Sequence, residues 1–316
     1  MFLGIEIGGT KLQLGVGTGD AAQLSALERV TVELDRGAGG ILEDIERIGR
    51  ALLSRHPCQA IGVGFGGPVD TARGVVLTSH QVSGWDHFPL RQWCLDTLGL
   101  PTSIENDAST AALAEATWGA GKGANPVLYL TVGTGIGGGL IVGGKVYRGH
   151  GCAAVEIGHL RLGGAAGDLQ ATVETVASGP AITRRACDLV FSSEDSSGEE
   201  ADLRQRCGGK ASRLTAVEVA AAAGAGNAVA QSVLDDALRG LGWAIAQCIT
   251  LFSPEVVVVG GGVSLIGERA FFEPLREHIE RLVFPPLAGS YRVHPAALGE
   301  EVVVHGALAL AASHAG

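Results

Sequence analysis

Ser103-Ile104-Glu105-Asn106-Asp107-Ala108-Ser109 sets a carboxylate between an apolar strand and the start of a helix. About two dozen residues later, Thr131-Val132-Gly133-Thr134-Gly135-Ile136-Gly137-Gly138-Gly139 is a glycine-rich turn between two β-like runs. A base beside a phosphate cradle is what phosphoryl transfer requires, because positioning and charge neutralisation carry that reaction. Neither segment alone specifies this chemistry.

A second cradle candidate is Gly8-Gly9-Thr10-Lys11, in a strand-to-strand turn. Its glycines permit backbone N–H groups to approach phosphate oxygens, while Thr10 and Lys11 add a hydroxyl and a cation. A plain tight hairpin explains the same residues. The segment is not a Walker A motif, since the GxxxxGK[ST] spacing is missing and no helix follows. A third glycine turn, Gly260-Gly261-Gly262, follows the buried run Val256–Val259.

Asp107 is the candidate general base, needing only to accept a hydroxyl proton as the acceptor attacks a phosphoryl group. By position it is equally an N-cap for the helix that follows. Asn106 offers a donor and an acceptor suited to sugar hydroxyls. Glu156 and His159 lie three residues apart and read either as site groups or as a structural pair; ligand spacing for a metal is lacking. Glu174, near a helix start, reads as a third site carboxylate or as solvated helix surface.

These groups need elements to hold them. Residues 2–7 and 12–16 read as a hairpin, with a third strand near 28–34. Residues 39–55 carry a helical apolar period, and 60–65 is a buried strand. Residues 89–98 read as helix, 102–105 as strand and 107–117 as helix. Strand, glycine turn and strand then recur over 127–147, a weak internal duplication. Helices are expected at 171–190, 215–224 and 227–251, a strand at 256–259, a short strand at 301–304 and a helix at 306–314. The acidic stretch 191–214 reads as a mobile surface excursion.

The chain has 316 residues, enough for two ordinary domains, and 46% hydrophobic residues supply a large core. Its 49 glycines follow no collagen-like period and so belong to turns and close approaches. A net charge of −10 argues against nucleic acid and anionic membranes as partners. Six scattered cysteines form no CxxC pair, which fits free thiols in a reducing compartment. No apolar run reaches membrane-span length, and a strand begins at residue 2, so no signal peptide is expected and the expected location is cytoplasmic.

Taken in order, Gly4-Ile-Glu-Ile-Gly-Gly-Thr-Lys11, Gly64-Phe-Gly-Gly-Pro-Val-Asp70, Glu105-Asn-Asp-Ala108, Thr131–Gly139, Glu156-Ile-Gly-His159, Ala177-Ser-Gly-Pro180 and Val258-Val-Gly-Gly-Gly262 resemble the ROK sugar kinases. This is the glucokinase, fructokinase and N-acetylhexosamine kinase group of the sugar kinase/Hsp70/actin superfamily. The resemblance covers nearly the whole chain. It implies an α/β fold of two ribonuclease-H-like, actin-like ATPase lobes, with mixed sheets flanked by helices and a ligand cleft between. The smaller lobe would span 1–117, with a C-terminal helix at about 305–316 packing back on it, and the larger lobe 118–304. The implied activity is ATP-dependent phosphorylation of a hexose in carbohydrate metabolism, glucose at O6 first, with fructose, mannose and N-acetylated hexosamines behind.

Asp107 would be the catalytic base, and Gly67, Asn106, Asp107, Glu156, His159 and Glu174 would line the sugar pocket. Glu6, Gly8, Gly9, Thr10, Lys11, Gly133, Thr134, Gly135 and Gly137 would serve the ATP phosphates, with Gly261 and Gly262 near the adenosine. Mg2+ would accompany ATP, and a homodimer is implied. Two departures stand out. Where the family often carries a zinc-binding CxCGxxGCxE segment, this chain has Ala165, Gly167 and Thr172 at the cysteine positions and keeps Glu174, so no structural zinc is expected. Glu6 stands where many relatives carry Asp. Three other readings compete: a sugar-responsive repressor, disfavoured because no helix-turn-helix precedes the first hairpin; a sugar-binding protein that has lost catalysis; and an ATPase acting on a protein.

Overall fold

The computed structural model describes every residue except 21, 80, 152, 164–169, 193–197 and 316, and the side chains of His314 and Ala315. The chain divides into two compact units. One comprises Met1–Tyr129, Gly139–Val155 and Ala296–Gly316, the other Leu130–Gly138 and Glu156–Pro295.

The first unit opens with an antiparallel meander of β1 (Phe2–Ile7), β2 (Lys11–Gly17) and β3 (Leu24–Thr31). Helix α1 (Gly37–Leu53) returns the chain to β4 (Ile61–Phe65), which pairs parallel with β1. A small hairpin, β5 (Val69–Asp70) and β6 (Val75–Val76), and helix α2 (Leu90–Leu98) precede β7 (Thr102–Asn106). The sheet order is β3-β2-β1-β4-β7, and α3 (Asp107–Thr117) leaves directly from β7.

Strict alternation gives this sheet two different faces. Leu3, Ile5, Ile7, Leu12, Leu14, Val16, Ile61, Val63 and Phe65 join a core with Ile41, Ile45 and Leu52 of α1 and Leu90, Cys94 and Leu98 of α2. Gly4, Gly15, Gly17, Gly62 and Gly64 alternate with them. Their missing side chains make room for α10 (Val302–Ala315), the last helix. A Cβ on Gly62 would lie 1.8 Å from the Ala307 carbonyl oxygen, and one on Gly306 would lie 1.9 Å from the Thr110 carbonyl oxygen of α3. Helix α10 thus meets the sheet and α3 at backbone contact, and Val304, Ala307, Leu308 and Ala311 are fully buried. Much of the glycine excess therefore serves close packing rather than turns.

Strands β8 (Val127–Val132), β9 (Ile136–Val142) and β10 (Lys145–Val146) follow α3, and the division between the units falls within β8 and β9. The second sheet has the order β10-β9-β8-β11-β12. In the second unit α4 (Val173–Ala177), α5 (Gly179–Phe191), α6 (Glu199–Arg206), α7 (Ala216–Gly224) and α8 (Ala228–Phe252) precede β11 (Val256–Gly260). Then come α9 (Glu273–Leu282) and β12 (Arg292–Pro295), the latter parallel to β11. Helix α8 is the spine of this unit. Asn227 caps its start by accepting from the Ala230 N–H, and Val233, Leu234, Leu241 and Ile245 are among its buried residues. His278 of α9 and Asp235 of α8 pin the two helices with a 2.8 Å hydrogen bond.

Four expectations are corrected. Residues 301–304 are not a strand: the β-branched run Val302-Val303-Val304 begins α10, because tertiary packing of Val303 against Gly64 and of Val304 against Gly15 outweighs strand propensity. The helix expected at 171–190 is two helices. Ser178, in extended conformation, ends α4 and caps α5 by accepting from the Ala181 N–H, with Pro180 in the first turn. The third strand runs 24–31 rather than 28–34. The stretch 191–214 is not wholly an excursion: α6 folds within it and buries Leu203, and Cys207, which follows it, is buried too. Helix α9 and strand β12 were not anticipated. Among the described residues no helix is long and apolar enough to cross a membrane.

Candidate active site

The first unit gathers its site groups where β1, β4 and β7 end. Strand β7 stops at Asn106, whose extended backbone turns into α3. Asn106 Oδ1 accepts from the N–H groups of Ala108 (3.0 Å) and Ser109 (3.2 Å), so Asn106, not Asp107, is the helix cap. Its Nδ2 donates to the Gly67 carbonyl at 3.3 Å and to Asp107 Oδ1 at 3.1 Å. Asp107 Oδ1 also accepts from the Ala108 N–H at 2.8 Å. One carboxylate oxygen is thereby held at the N-terminal end of α3.

The other oxygen, Oδ2, faces the glycine turn after β4. A Cβ on Gly66 would lie 3.4 Å from Asp107 Oδ2 and 3.6 Å from the Cα of Gly8, and Gly66 N–H donates to the Ile7 carbonyl at 2.8 Å. Gly66, which the sequence reading passed over in favour of Gly67, is where the candidate base and the first glycine turn converge. That turn is tight, with Gly8 N–H donating to the Lys11 carbonyl at 3.0 Å. Thr10 is exposed at its tip, and the Gln81 side chain occupies the space a Gly9 side chain would need.

Glu6 and Lys11 come together across the base of this hairpin. Glu6 Oε1 is 3.4 Å from Lys11 Nζ, and Oε2 accepts from Gln13 Nε2 at 2.6 Å. Lys11 Nζ and Gln13 Nε2 each also donate to the Glu300 carbonyl at 3.0 Å. Burial raises the Glu6 pKa above its ordinary value, with Lys11 and Gln13 opposing the rise. Glu105 is a similar buried carboxylate that the sequence reading did not single out. Its Oε2 accepts from Arg148 Nε at 2.7 Å and its Oε1 from the Asn106 N–H at 3.1 Å. Burial raises its pKa too, opposed by Arg148 and the Asn106 N–H.

The second unit gathers a separate group around Ile136. Glu174 Oε2 accepts from the Ile136 N–H at 2.8 Å, so this carboxylate is not mere helix surface. A Cβ on Gly135 would come within 2.7 Å of that same oxygen. On the carbonyl side of Ile136, a Cβ on Gly158 would lie 2.2 Å from the oxygen, which seats the short 3-10 turn Ile157–His159 against β9. Glu156 caps that turn and His159 ends it, both exposed, with His159 N–H donating to the Glu156 carbonyl at 3.0 Å.

The glycine turns after β8 and β11 are neighbours. A Cβ on Gly133 would lie 3.9 Å from the Gly262 backbone N, and Gly179 N–H donates to the Gly133 carbonyl at 2.9 Å. Gly261 is required by its φ of +87° and by Val132, whose backbone a Cβ would strike at 2.5 Å. Gly133 and Gly262 are different: a Cβ would meet nothing closer than 3.9 Å at the first and nothing within 4 Å at the second. Backbone conformation and internal packing do not demand glycine at either position. Thr134 is exposed beside them, and Gly137 is half-buried on β9.

The Gly133 and Gly262 turns thus leave backbone N–H groups open to approach, and Glu6 is a buried carboxylate already held by Lys11 and Gln13. Among the described residues no three His, Cys, Asp or Glu side chains gather as a metal site. Of the positions in the zinc-type segment, Ala165 and Gly167 lie outside the described residues, and Thr172 caps α4.

The family model described as "ROK family" matches residues 2–314. A glucokinase from Halalkalibacterium halodurans is 33% identical over 96% of this chain and 93% of its own length. A crystal structure of a ROK family glucokinase from Streptomyces griseus, in complex with glucose and AMPPNP, superposes with a TM-score of 0.82 at 32% identity, covering 99% of each chain. A putative xylose repressor from Caldicellulosiruptor sp. is 28% identical over 99% of this chain and 78% of its own length. The sheets flanked by helices match the actin-like ATPase fold of these structural neighbours, and the chain belongs to the ROK family.

Proposed function

We propose that this protein transfers the γ-phosphoryl group of ATP to a hexose hydroxyl, with glucose O6 the first acceptor to test and Asp107 the general base. The observation that carries the reading is the convergence on Gly66, where Asp107 Oδ2 and the Gly8 turn face the same missing side chain. Asp107 Oδ1 accepts from Asn106 and Ala108, and Oδ2, on the Gly66 side, would accept the proton of an incoming hydroxyl. All four hydrogen-bonding positions of Asn106 have partners within the chain. A sugar hydroxyl would reach Asn106 by replacing its long 3.3 Å bond to Gly67.

Glu156, His159 and Glu174 are the remaining candidates for the sugar. Glu174 would do so while holding the Ile136 N–H, coupling sugar contact to the shape of the glycine turn. Mg-ATP, when bound, supplies the transferable phosphoryl group and neutralises its charge. Glu6 would hold a water of that magnesium, and the N–H groups around Gly133 and Gly262 would receive phosphate oxygens. The S. griseus glucokinase complex supports a sugar and an ATP analogue as ligands of this family fold.

ADP release from Mg-ATP with a panel of hexoses, run beside Asp107→Asn, tests the proposal. One hexose should drive turnover, and Asp107→Asn should lower kcat by about 10²- to 10⁴-fold. Sugar binding without turnover would favour a sensor, and turnover without sugar an ATPase.

A further inference from the structure

Arg148 lies on the loop after β10, in the same unit as β7 and α3. Its guanidinium reaches Glu105, whose side chain is only 5% exposed, while Arg148 itself is 42% exposed. From there a hydrogen-bonded chain runs to the candidate base. Arg148 Nε donates to Glu105 Oε2, the Asn106 N–H donates to Glu105 Oε1, and Asn106 Nδ2 donates to Asp107 Oδ1. Each oxygen of the buried carboxylate thus has its own partner. One ties the loop down, and the other holds the backbone at the point where strand becomes helix.

We propose that Arg148 is a positioning residue for sugar phosphorylation: acting through the buried Glu105 carboxylate, it sets the β7–α3 junction that carries Asn106 and Asp107. This rests on the kinase reading above. A buried carboxylate deprived of its cation is strongly destabilised, and it regains partners by moving toward water or by drawing on neighbouring donors. The nearest donor in its own hydrogen-bond set is the Asn106 N–H. Displacement there shifts both the cap and the base, and small misplacements of a base are costly in rate. Among the described residues, the backbone hydrogen bonds of the Gly133 and Gly262 turns, proposed above for nucleotide, go to neither Glu105, Asn106 nor Arg148, so nucleotide affinity is expected to stand.

The test is a double-mutant cycle on the full-length protein, with steady-state kinetics for both substrates. Arg148→Met should lower kcat/KM for the hexose by about 10- to 100-fold and leave KM for MgATP within about twofold. Arg148→Lys, which keeps the charge, should recover most of that loss. Glu105→Gln removes the lone buried charge and keeps an acceptor for Asn106, so adding Arg148→Met in that background should cause little further loss. The Glu105→Gln background also preserves the comparison if Arg148→Met alone does not fold. Wild-type kinetics for Arg148→Met, losses that multiply in the double variant, or an equal change in KM for MgATP would each overturn the proposal. If the wild-type protein phosphorylates no hexose, the kinase reading fails and this proposal falls with it. If it does and the variants match it, this proposal alone falls.

Discussion

Gly62→Ala tests the packing of α10 directly. The added Cβ would sit 1.8 Å from the Ala307 carbonyl oxygen, 2.7 Å from its carbon and 3.1 Å from its Cα. All three are backbone atoms, so no side chain can rotate away, and α10 must retreat from the sheet by more than about 1 Å. A radial gap of that size forfeits roughly a quarter to a half of the dispersion energy along the contact. The groups affected include Val304 and Leu308, both fully buried. Their burial is worth roughly 1.5–3 kcal/mol each, so about 1–3 kcal/mol is lost there. Strain at the contact adds to it, giving about 3 kcal/mol in all. For a unit of this size that corresponds to a fall in Tm of about 6–12 °C. Calorimetry on Gly62→Ala measures it, with Gly39→Ala as control. Gly39 is exposed in α1, a Cβ there meets nothing within 4 Å, and the substitution should stabilise by about 0.5–1 kcal/mol. If Gly62→Ala melts with the wild type, α10 does not lie against the sheet at backbone contact.

Glu174→Gln replaces a charge-assisted acceptor with a neutral one at the Ile136 N–H. It should weaken the glycine turn by about 1 kcal/mol and raise KM for MgATP about fivefold, and an unchanged KM would separate this bond from nucleotide binding. Glu6 has a folded-state pKa above its ordinary 4.5, so the fold prefers its protonated form. That contribution is complete below pH 4.5 and is lost as pH rises through the raised value. Glu6→Gln should therefore melt above wild type at neutral pH and converge with it in acid, and the opposite ordering would contradict the assigned cause. Burial pushes the thiols of Cys94 and Cys248 up to about 12. Neither should react with a disulfide reagent in the native protein at pH 8, where about one in 10⁴ is ionised, and rapid labelling of either would count against the packing around it.

Local pattern was enough to read the hairpin, the α1 period and the passage from β7 into α3, because each is written in neighbouring residues. The break at Ser178 was also written locally, as a capping serine followed by Gly-Pro, but the apolar pattern on both sides masked it. The valine run at 302–304 misled because strand propensity is local, whereas the glycine face that receives it comes from β1, β2 and β4. Strand β12 is short, holds one buried residue and ends in proline, so only β11 makes it a strand. Among the site groups, Asn106 and Asp107 were legible as a pair, though which of them capped the helix was not. The partners of Glu174 and Glu105 were invisible for a plain reason: Ile136 and Arg148 stand 38 and 43 residues away along the chain.

Because α10 belongs to the first unit, that unit stays unfinished until residues 302–315 have been made. A ribosome releases β1, β2 and β4 early, yet their glycine face has no cover until residues 302–315 emerge. The second unit, whose last strand ends at Pro295, can close first. A late segment thus completes a unit begun at residue 2, and the glycine face of its sheet is the surface that waits longest for its cover.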